Sequence, residues 1–137
     1  MKDMHNNIKV INAITPQAVG TTGAANGKVS LAIDRQGYES VEFGFSSGAS
    51  ASVADTINPI IYESDTATST GFVAVDDADL LGTEDGQKLT LTAAGASRIG
   101  YRGNKRYVGI RLYGLGTATA IVAATAILGD PHNAPVA

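Results

Sequence analysis

Apolar and polar positions alternate along much of this chain, which is the mark of strands with one face buried. The clearest case is Tyr38–Ser46, where Val41, Phe43 and Phe45 face one way and Ser40, Glu42, Gly44 and Ser46 the other. Lys28–Asp34 sets Val29, Leu31 and Ile33 against Lys28, Ser30 and Ala32. Ile8–Ile14 places Ile8, Val10, Asn12 and Ile14 on one side and Lys9, Ile11 and Ala13 on the other. It reads as an edge strand stopped at Pro16. Ile57–Ser64 is apolar through Ile60, Ile61 and Tyr62, and Pro59 within it requires an edge position or a bulge. Leu89 and Leu91 alternate with threonines in Lys88–Thr92. Thr117–Leu128 has small or branched residues on both faces, as in a strand covered on two sides at the centre of a sheet.

Ser97–Gly114 carries the strongest local signal. Gly103-Asn104 is a two-residue loop whose residues tolerate positive φ, so the pattern predicts a hairpin with a primed turn. That register pairs Arg102 with Lys105, Tyr101 with Arg106, Gly100 with Tyr107 and Ile99 with Val108. One face is then Ile99, Tyr101, Arg106, Val108, Ile110 and Leu112, with Arg106 against the Tyr101 ring. The other holds Arg98, Gly100, Arg102, Lys105, Tyr107, Gly109 and Arg111, with Tyr107 covering Gly100. Two like charges side by side, Arg102 and Lys105, call for an acid nearby.

Turn signals separate these runs. Gly20–Gly27, Arg35-Gln36-Gly37, Gly48–Ala54, Thr66–Gly71 and Asp85-Gly86 read as loops or turns, and Asp76–Gly82 as a turn or one helical turn after a short strand at Phe72–Val75. Gly129-Asp130-Pro131 ends the last strand. The expected architecture is all-β, an antiparallel β-sandwich of about eight short strands with jelly-roll or immunoglobulin-like packing, in one domain over 1–137. Residues 1–7 and 129–137 read as extended arms.

Composition narrows the chemistry. The 137 residues include no cysteine, which excludes disulfides and thiolate metal sites. Glycine is abundant at 16 residues and tryptophan absent, so the core must come mainly from Val, Ile, Leu and Ala. A net charge of −3 argues against a nucleic-acid partner, which needs a basic domain. No apolar run reaches the ~20 residues of a membrane helix, and the polar start is unlike a secretory signal. A soluble protein made in the cytoplasm, without membrane attachment, is expected.

Candidate sites are few. His5 and His132, the two histidines, lie in the terminal segments and suit solvated tails better than a zinc pair. Asp76, Asp77 and Asp79, with Glu84 and Asp85, offer oxygen ligands, but their spacing is not that of an EF-hand loop. An acidic loop that balances the basic strip is the other reading. No nucleophile–histidine pairing, phosphate loop or G-x-S-x-G is present, so no enzyme activity, metal or cofactor is expected. Five of the ten basic residues fall between 98 and 111, and seven of the thirteen acids between 63 and 85. That segregation suits protein contacts or internal pairing better than a phosphate-binding stripe. Arg98, Arg102, Lys105, Tyr107 and Arg111 are the candidate protein interface.

The opening MKDMHNNI, then IDRQGYESVEF, DADLLGTE, RIGYRGNKRYV and the ending AATAILGDPHNAPV together resemble a family of small structural proteins of tailed bacteriophages and prophages, encoded beside the major capsid protein. The chain departs from that pattern near its end, reading Asp130-Pro131-His132. The resemblance implies a capsid decoration (cement) protein located on the virion surface. Its partners would be the major capsid protein and further copies of itself in a symmetric oligomer, with arms that order on assembly. A head–tail connector or tail protein is the nearest rival. A carbohydrate-binding β-sandwich is a rival of another class, disfavoured by the lack of tryptophan.

Overall fold

The computed structural model describes residues 3–19, 27–50, 55–115 and 120–135. It is an all-β sandwich of two antiparallel sheets. The strands are β1 (Ile8–Ala18), β2 (Lys28–Val29), β3 (Ile33–Asp34), β4 (Tyr38–Ser47), β5 (Thr56–Ser64), β6 (Val73–Ala74), β7 (Leu80–Leu81), β8 (Leu89–Thr90), β9 (Gly95–Tyr101), β10 (Tyr107–Leu115) and β11 (Ile121–Pro131). The first sheet runs β1-β11-β4-β9-β7. The second runs β2-β10-β5-β6, with β3 also on β10 and β8 also on β5.

Alternation builds the core as expected. Val41, Phe43 and Phe45 of β4 are buried, as are Val122, Ala124, Ala126 and Leu128 of β11 and Ile99 and Tyr101 of β9. From the other sheet come Val108, Ile110 and Leu112 of β10 and Ile57 and Ile61 of β5. Leu89 and Leu91 point inward from the β8 segment. Removing one such side chain typically costs about 2–5 kcal/mol.

Ser97–Gly114 is not a hairpin. β9 pairs with β4 and β7 in the first sheet, and β10 pairs with β2, β3 and β5 in the second. Residues 102–106 form a corner that crosses from one sheet to the other. Neither Gly103 nor Asn104 has positive φ, so the turn is not primed. Glycine is required there for close approach, because a Cβ on Gly103 would lie 2.5 Å from the Tyr101 hydroxyl oxygen. Alternation within each arm is still right, since a corner keeps the inward face inward on both sides. Arg106 is the exception. It sits on the exposed corner and not on the apolar face. The gap beside Gly100 is filled by Leu81 and Glu42 instead of Tyr107.

Other boundaries moved for local reasons. β1 is an edge strand, but it continues past Pro16 by means of two register shifts, between Asn12 and Ile14 and between Ile14 and Gln17. Those irregularities turn both Ala13 and Ile14 inward while Val10 is 59% exposed. Lys28–Asp34 breaks in the middle. The Ser30 hydroxyl accepts from Ile110 N at 3.0 Å and donates to Leu31 O at 2.8 Å, replacing ladder bonds. Ile33 reaches the core, but Val29 and Leu31 face out at 55% and 76% exposure.

Pro59 lies in β5 opposite the gap between β6 and β8, where a missing donor costs nothing. Two residues on, Ile61 N–H donates to Glu84 Oε1 at 2.7 Å, so a side chain stands in for a neighbouring strand.

The last strand, β11, lies between β1 and β4, inside its sheet as read, although its outer face is not covered by a further layer. Residues 117–119 of the predicted strand are outside the described residues, as are 20–26 and 51–54 of the predicted loops.

The terminal segments are not extended arms where described. Asp3 Oδ1 accepts from Asn6 N at 3.1 Å and its backbone oxygen from Asn7 Nδ2 at 2.6 Å, closing a 3₁₀ turn over His5–Asn7. Gly129 and Pro131 belong to β11 and pair with β4. Asp130 between them has φ 52°, a conformation Asp tolerates better than most residues.

Candidate functional site

Two features stand out on the surface: a braced pole of the sandwich, and a groove on the outer face of the second sheet. The pole is where β4, β7 and β10 begin and β3, β5, β9 and β11 end. Its first part is the turn at Arg35-Gln36-Gly37. Tyr38 N donates to Arg35 O at 3.0 Å, Gln36 N donates to Asp34 Oδ1 at 3.0 Å, and Gly37 supplies φ 90°. This arrangement needs glycine.

The corner 102–106 is laid across that turn and locked to it. Arg35 N donates to Arg106 O at 3.1 Å, and Arg35 Nε donates to Lys105 O at 2.8 Å. The Arg35 guanidinium stands 5.4 Å from the centre of the Tyr101 ring, the position the sequence reading gave to Arg106. Arg106 instead forms a two-pronged contact with Asp34, at 2.9 and 2.7 Å, and lies 5.0 Å from the Tyr107 ring. The hydrogen bond from Arg106 holds the Asp34 carboxyl below its usual value of 3.8.

Tyr101 is the pin of the pole. Its hydroxyl donates to Glu63 Oε2 at 2.5 Å and accepts from Lys105 N at 2.9 Å. Burial, reinforced by the hydrogen bond to Glu63, pushes its phenol far above the ordinary value. It stays neutral and donating at any working pH.

Basic residues predicted to share one face are thus distributed over three places. Arg98 projects from the outer face of the first sheet and lies 3.8 Å from Glu42. Arg102 and Lys105 sit in the corner. Arg102 donates from Nε and Nη2 to Ala78 O at 2.9 and 2.7 Å, and Lys105 Nζ meets Asp65 at 2.5 Å. Tyr107 and Arg111 point out from the second sheet. The acid that the Arg102–Lys105 pair called for comes from the 63–85 stretch as Asp65, on Lys105, while Arg102 is held by the neutral Ala78 carbonyl of the same stretch.

Asp76 caps the 3₁₀ turn over Asp77–Asp79 with its side chain on Ala78 N, and Arg102 N donates to Asp79 O at 3.0 Å. These acids therefore shape the pole. Among the described residues no group of three or more His, Asp or Glu side chains converges as a metal site would. His132 contacts Glu39 through its ring, and its backbone N donates to Gly37 O at 2.9 Å, so it is tied to the pole as well.

The groove was missed from sequence. It has a volume of about 480 Å³ and lies between the interrupted β2–β3 edge and the segment after β5. Gly109, opposite Tyr62 in the ladder, leaves its floor without a side chain. Tyr62, Phe72 and Arg111 line it together with the exposed Val29 and Leu31. The Arg111 guanidinium lies 5.0 Å from the centre of the Tyr62 ring. The sequence carries a signal for it: Tyr107, Gly109 and Arg111 alternate onto one outward face, with a glycine between two large side chains.

No family model matches the chain, and no curated protein does. Solved structures do resemble it. The CBM22-1 and GH10 modules of Clostridium thermocellum endo-1,4-β-D-xylanase 10B, complexed with xylohexaose, match 97% of this chain at 10% identity and a TM-score of 0.54. The chain spans 28% of that protein's length. The CBM22-1 xylan-binding domain of Paenibacillus barcinonensis Xyn10C matches 90% of this chain and 86% of its own, at 12% identity and a TM-score of 0.51. The CBM22-2 domain of the same protein matches over 93% and 94%, at 10% identity and 0.51. At such identities the likeness establishes the fold: a β-sandwich of the kind seen in these modules.

Proposed function

We propose that this chain is a capsid decoration protein, which binds the outer surface of an assembled phage head and stabilises the shell as a symmetric oligomer between capsomers. One observation carries the reading. The blocks of sequence that resemble the phage family converge on the braced pole, although they are spread along the whole chain. Ile8 pairs with Gly129, and Gly129 with Ser40. Arg106 meets Asp34, and Arg102 meets Ala78. Turns fixed this firmly offer a preorganised surface, which lowers the entropy cost of docking on a partner. Many copies on one particle add avidity to weak contacts.

The test is copy number. Purified particles, run on a gel with densitometry against the major capsid protein, are expected to show hundreds of copies on the head. About a dozen copies, or a location at the neck by electron microscopy, would replace this reading with the connector or tail reading. On such particles, Arg102→Glu with Lys105→Glu is expected to reduce occupancy, and full occupancy would exclude the corner as the contact.

A second reading, a carbohydrate-binding module, is favoured by the groove, whose aromatic rings Tyr62 and Phe72 supply the stacking surface expected of a sugar site. Two of the structural neighbours are xylan-binding domains, so a sandwich of this shape is compatible with that role.

A further inference from the structure

We infer that the outer face of the first sheet is the contact between two copies of this chain, packed face to face about a two-fold axis. This deepens the decoration reading, on which the expectation of self-association rests, by naming the surface that carries it. Among the described residues no further layer covers β1, β11, β4 and β9 from outside. The central row of that face runs Val10–Ile127–Glu42–Gly100–Leu81 across all five strands. Val10 and Leu81, at its two ends, are 59% and 55% exposed. Serine, glycine, alanine and threonine hold most other outward positions of β4 and β11, so the surface is flat. A Cβ on Gly44, in the middle strand, would meet nothing within 4 Å among the described residues.

Charge decides the occupant. Two charged side chains project from the middle of the face, Glu42 on β4 and Arg98 on β9, and their signs are opposite. Arg98 Nε lies 3.8 Å from Glu42 Oε1, too long for a hydrogen bond, and the arginine side chain is 83% exposed. Glu42 folds over Gly100, where a Cβ would stand 2.7 Å from its Oε2, and burial raises its carboxyl above the usual 4.5. The acid is therefore partly desolvated with no hydrogen bond, among the described residues, to offset the cost. A two-fold axis lying in the interface, midway between the two groups, exchanges their places. Each Glu42 then meets Arg98 of the other copy. A depression of about 380 Å³ beside Glu42, lined also by Leu81, Gly82 and Gln87, gives the incoming guanidinium room. A patch that carries both signs fits a second copy of itself better than a nucleic acid or a surface of one sign.

The size suffices for a weak dimer. Four strands about 4.8 Å apart and roughly eight residues long present on the order of 600 Å² per copy. A pair would bury about 1,200 Å², the lower bound for a specific interface. Many copies on one particle would reinforce such a contact. The free edge of the same sheet is a poorer contact, because β1 carries Lys9, Pro16 and two register shifts that interrupt an added strand.

The experiment follows the mass of the full chain by sedimentation equilibrium from about 1 to about 500 µM. The wild type is expected to dimerise within that range. Gly44→Gln puts a side chain into open space on the flat face. It is expected to raise the dissociation constant at least ~10-fold and to leave the urea midpoint of the dilute monomer unchanged. Arg98→Glu and Glu42→Arg are each expected to weaken self-association by a similar factor. Mixed together, these two variants are expected to form a heterodimer, because opposite charges then face each other only across the interface. Should Gly44→Gln disturb folding, the mixing result decides. A wild type that stays monomeric throughout would overturn the inference and leave the decoration reading to its copy-number test. A dimer that keeps its affinity in Gly44→Gln and in both charge variants would place the contact elsewhere, and a trimer would exclude the two-fold axis; either overturns the inference. A dimer as expected, found in few copies on heads, would overturn the decoration reading alone.

Discussion

Among the described residues, the two poles of the sandwich differ in how densely side chains tie them together. At one, every turn is tied to another by named side chains: Tyr101 to Glu63, Arg35 to the corner, Arg106 to Asp34, Arg102 to the acidic turn. At the other the chain leaves the described residues after Val19, Ser50 and Leu115 and returns at Gly27, Asp55 and Ala120. The intervening stretches, 20–26, 51–54 and 116–119, hold no charged residue and no aromatic one. Backbone bonds such as Val19 N to Ala120 O at 3.0 Å and Gly48 N to Ile121 O at 2.9 Å join the strands at that end. Among the described residues of this second pole, Ser50 Oγ also donates to the buried Asp55 at 3.1 Å.

A pair of matched substitutions gives the largest expected contrast. Gly103→Ala drives a Cβ onto the Tyr101 ring at the braced pole, with Tyr101 itself unable to retreat from the core. It should cost about 1–3 kcal/mol in a urea unfolding curve, as overpacking does. Among the described residues, Gly48→Ala at the other pole meets nothing nearer than Ile121 O at 4.0 Å. Its effect should stay within about 0.5 kcal/mol. Equal effects would erase the distinction between the poles.

Tyr101→Phe asks next how much of the bracing is hydrogen bonding. It removes the partner of Glu63 Oε2 and of Lys105 N while preserving the ring under Arg35. The expected loss is about 1–2 kcal/mol, because a partly buried carboxylate and an amide lose a partner together. A neutral result would make Tyr101 an apolar pin only.

What the sequence could and could not convey follows from this contrast. Period-two alternation was enough to place Phe43, Ile99 and Leu112 in the core, because inward and outward are set within each strand. The partner of a strand is not. Ile99 pairs with Phe43 and Val108 with Glu63 and Ile33, and nothing local in RIGYRGNKRYV distinguishes a hairpin from a corner between sheets. β7 escaped notice for the opposite reason, since two residues, Leu80 and Leu81, are too few to show a period. The need for an acid beside Arg102 and Lys105 was legible, and so was the acidic stretch that meets it. Tyr101 as the centre of the site was not, because Glu63, the acceptor of its hydroxyl, comes from the opposite sheet and is far away in sequence. The basic strip was an artefact of the hairpin register: once the arms part, Arg98 and Arg111 lie on opposite outer faces.

Acid titration separates the two kinds of carboxylate. Asp34 is held below 3.8 by Arg106, so its contribution is complete above that pH and is lost as pH falls through its lowered value. Asp34→Asn should flatten the acid limb of stability against pH below about 3.8. Glu84 has the reverse sign. Burial raises it above 4.5, so the native state holds its proton more tightly and the carboxylate opposes folding as pH rises past that value. Glu84→Gln keeps an acceptor for Ile61 N and should raise stability at neutral pH relative to acid. Urea midpoints measured from acid to neutral pH would show whether the two variants change the curve at opposite ends. A shared direction would mean that Glu84 acts as a strand-edge acceptor without a burial penalty.

The smallest effect expected is at Lys105, and it tests what bracing consists of. Its ammonium meets Asp65 at 2.5 Å, but the pair is open to water, with 41% and 70% of the side chains exposed. The backbone of the same residue does the holding: its N–H donates to Tyr101 and its C=O accepts from Arg35. An exposed ion pair is screened by solvent and salt. Lys105→Gln should therefore leave the urea midpoint unchanged at high salt and lower it barely, if at all, at low salt. A clear drop at both salt concentrations would show that the side-chain pair positions the corner. The braced pole would then owe its shape to charge placement on its rim as well as to the buried Tyr101 and the backbone bonds around it.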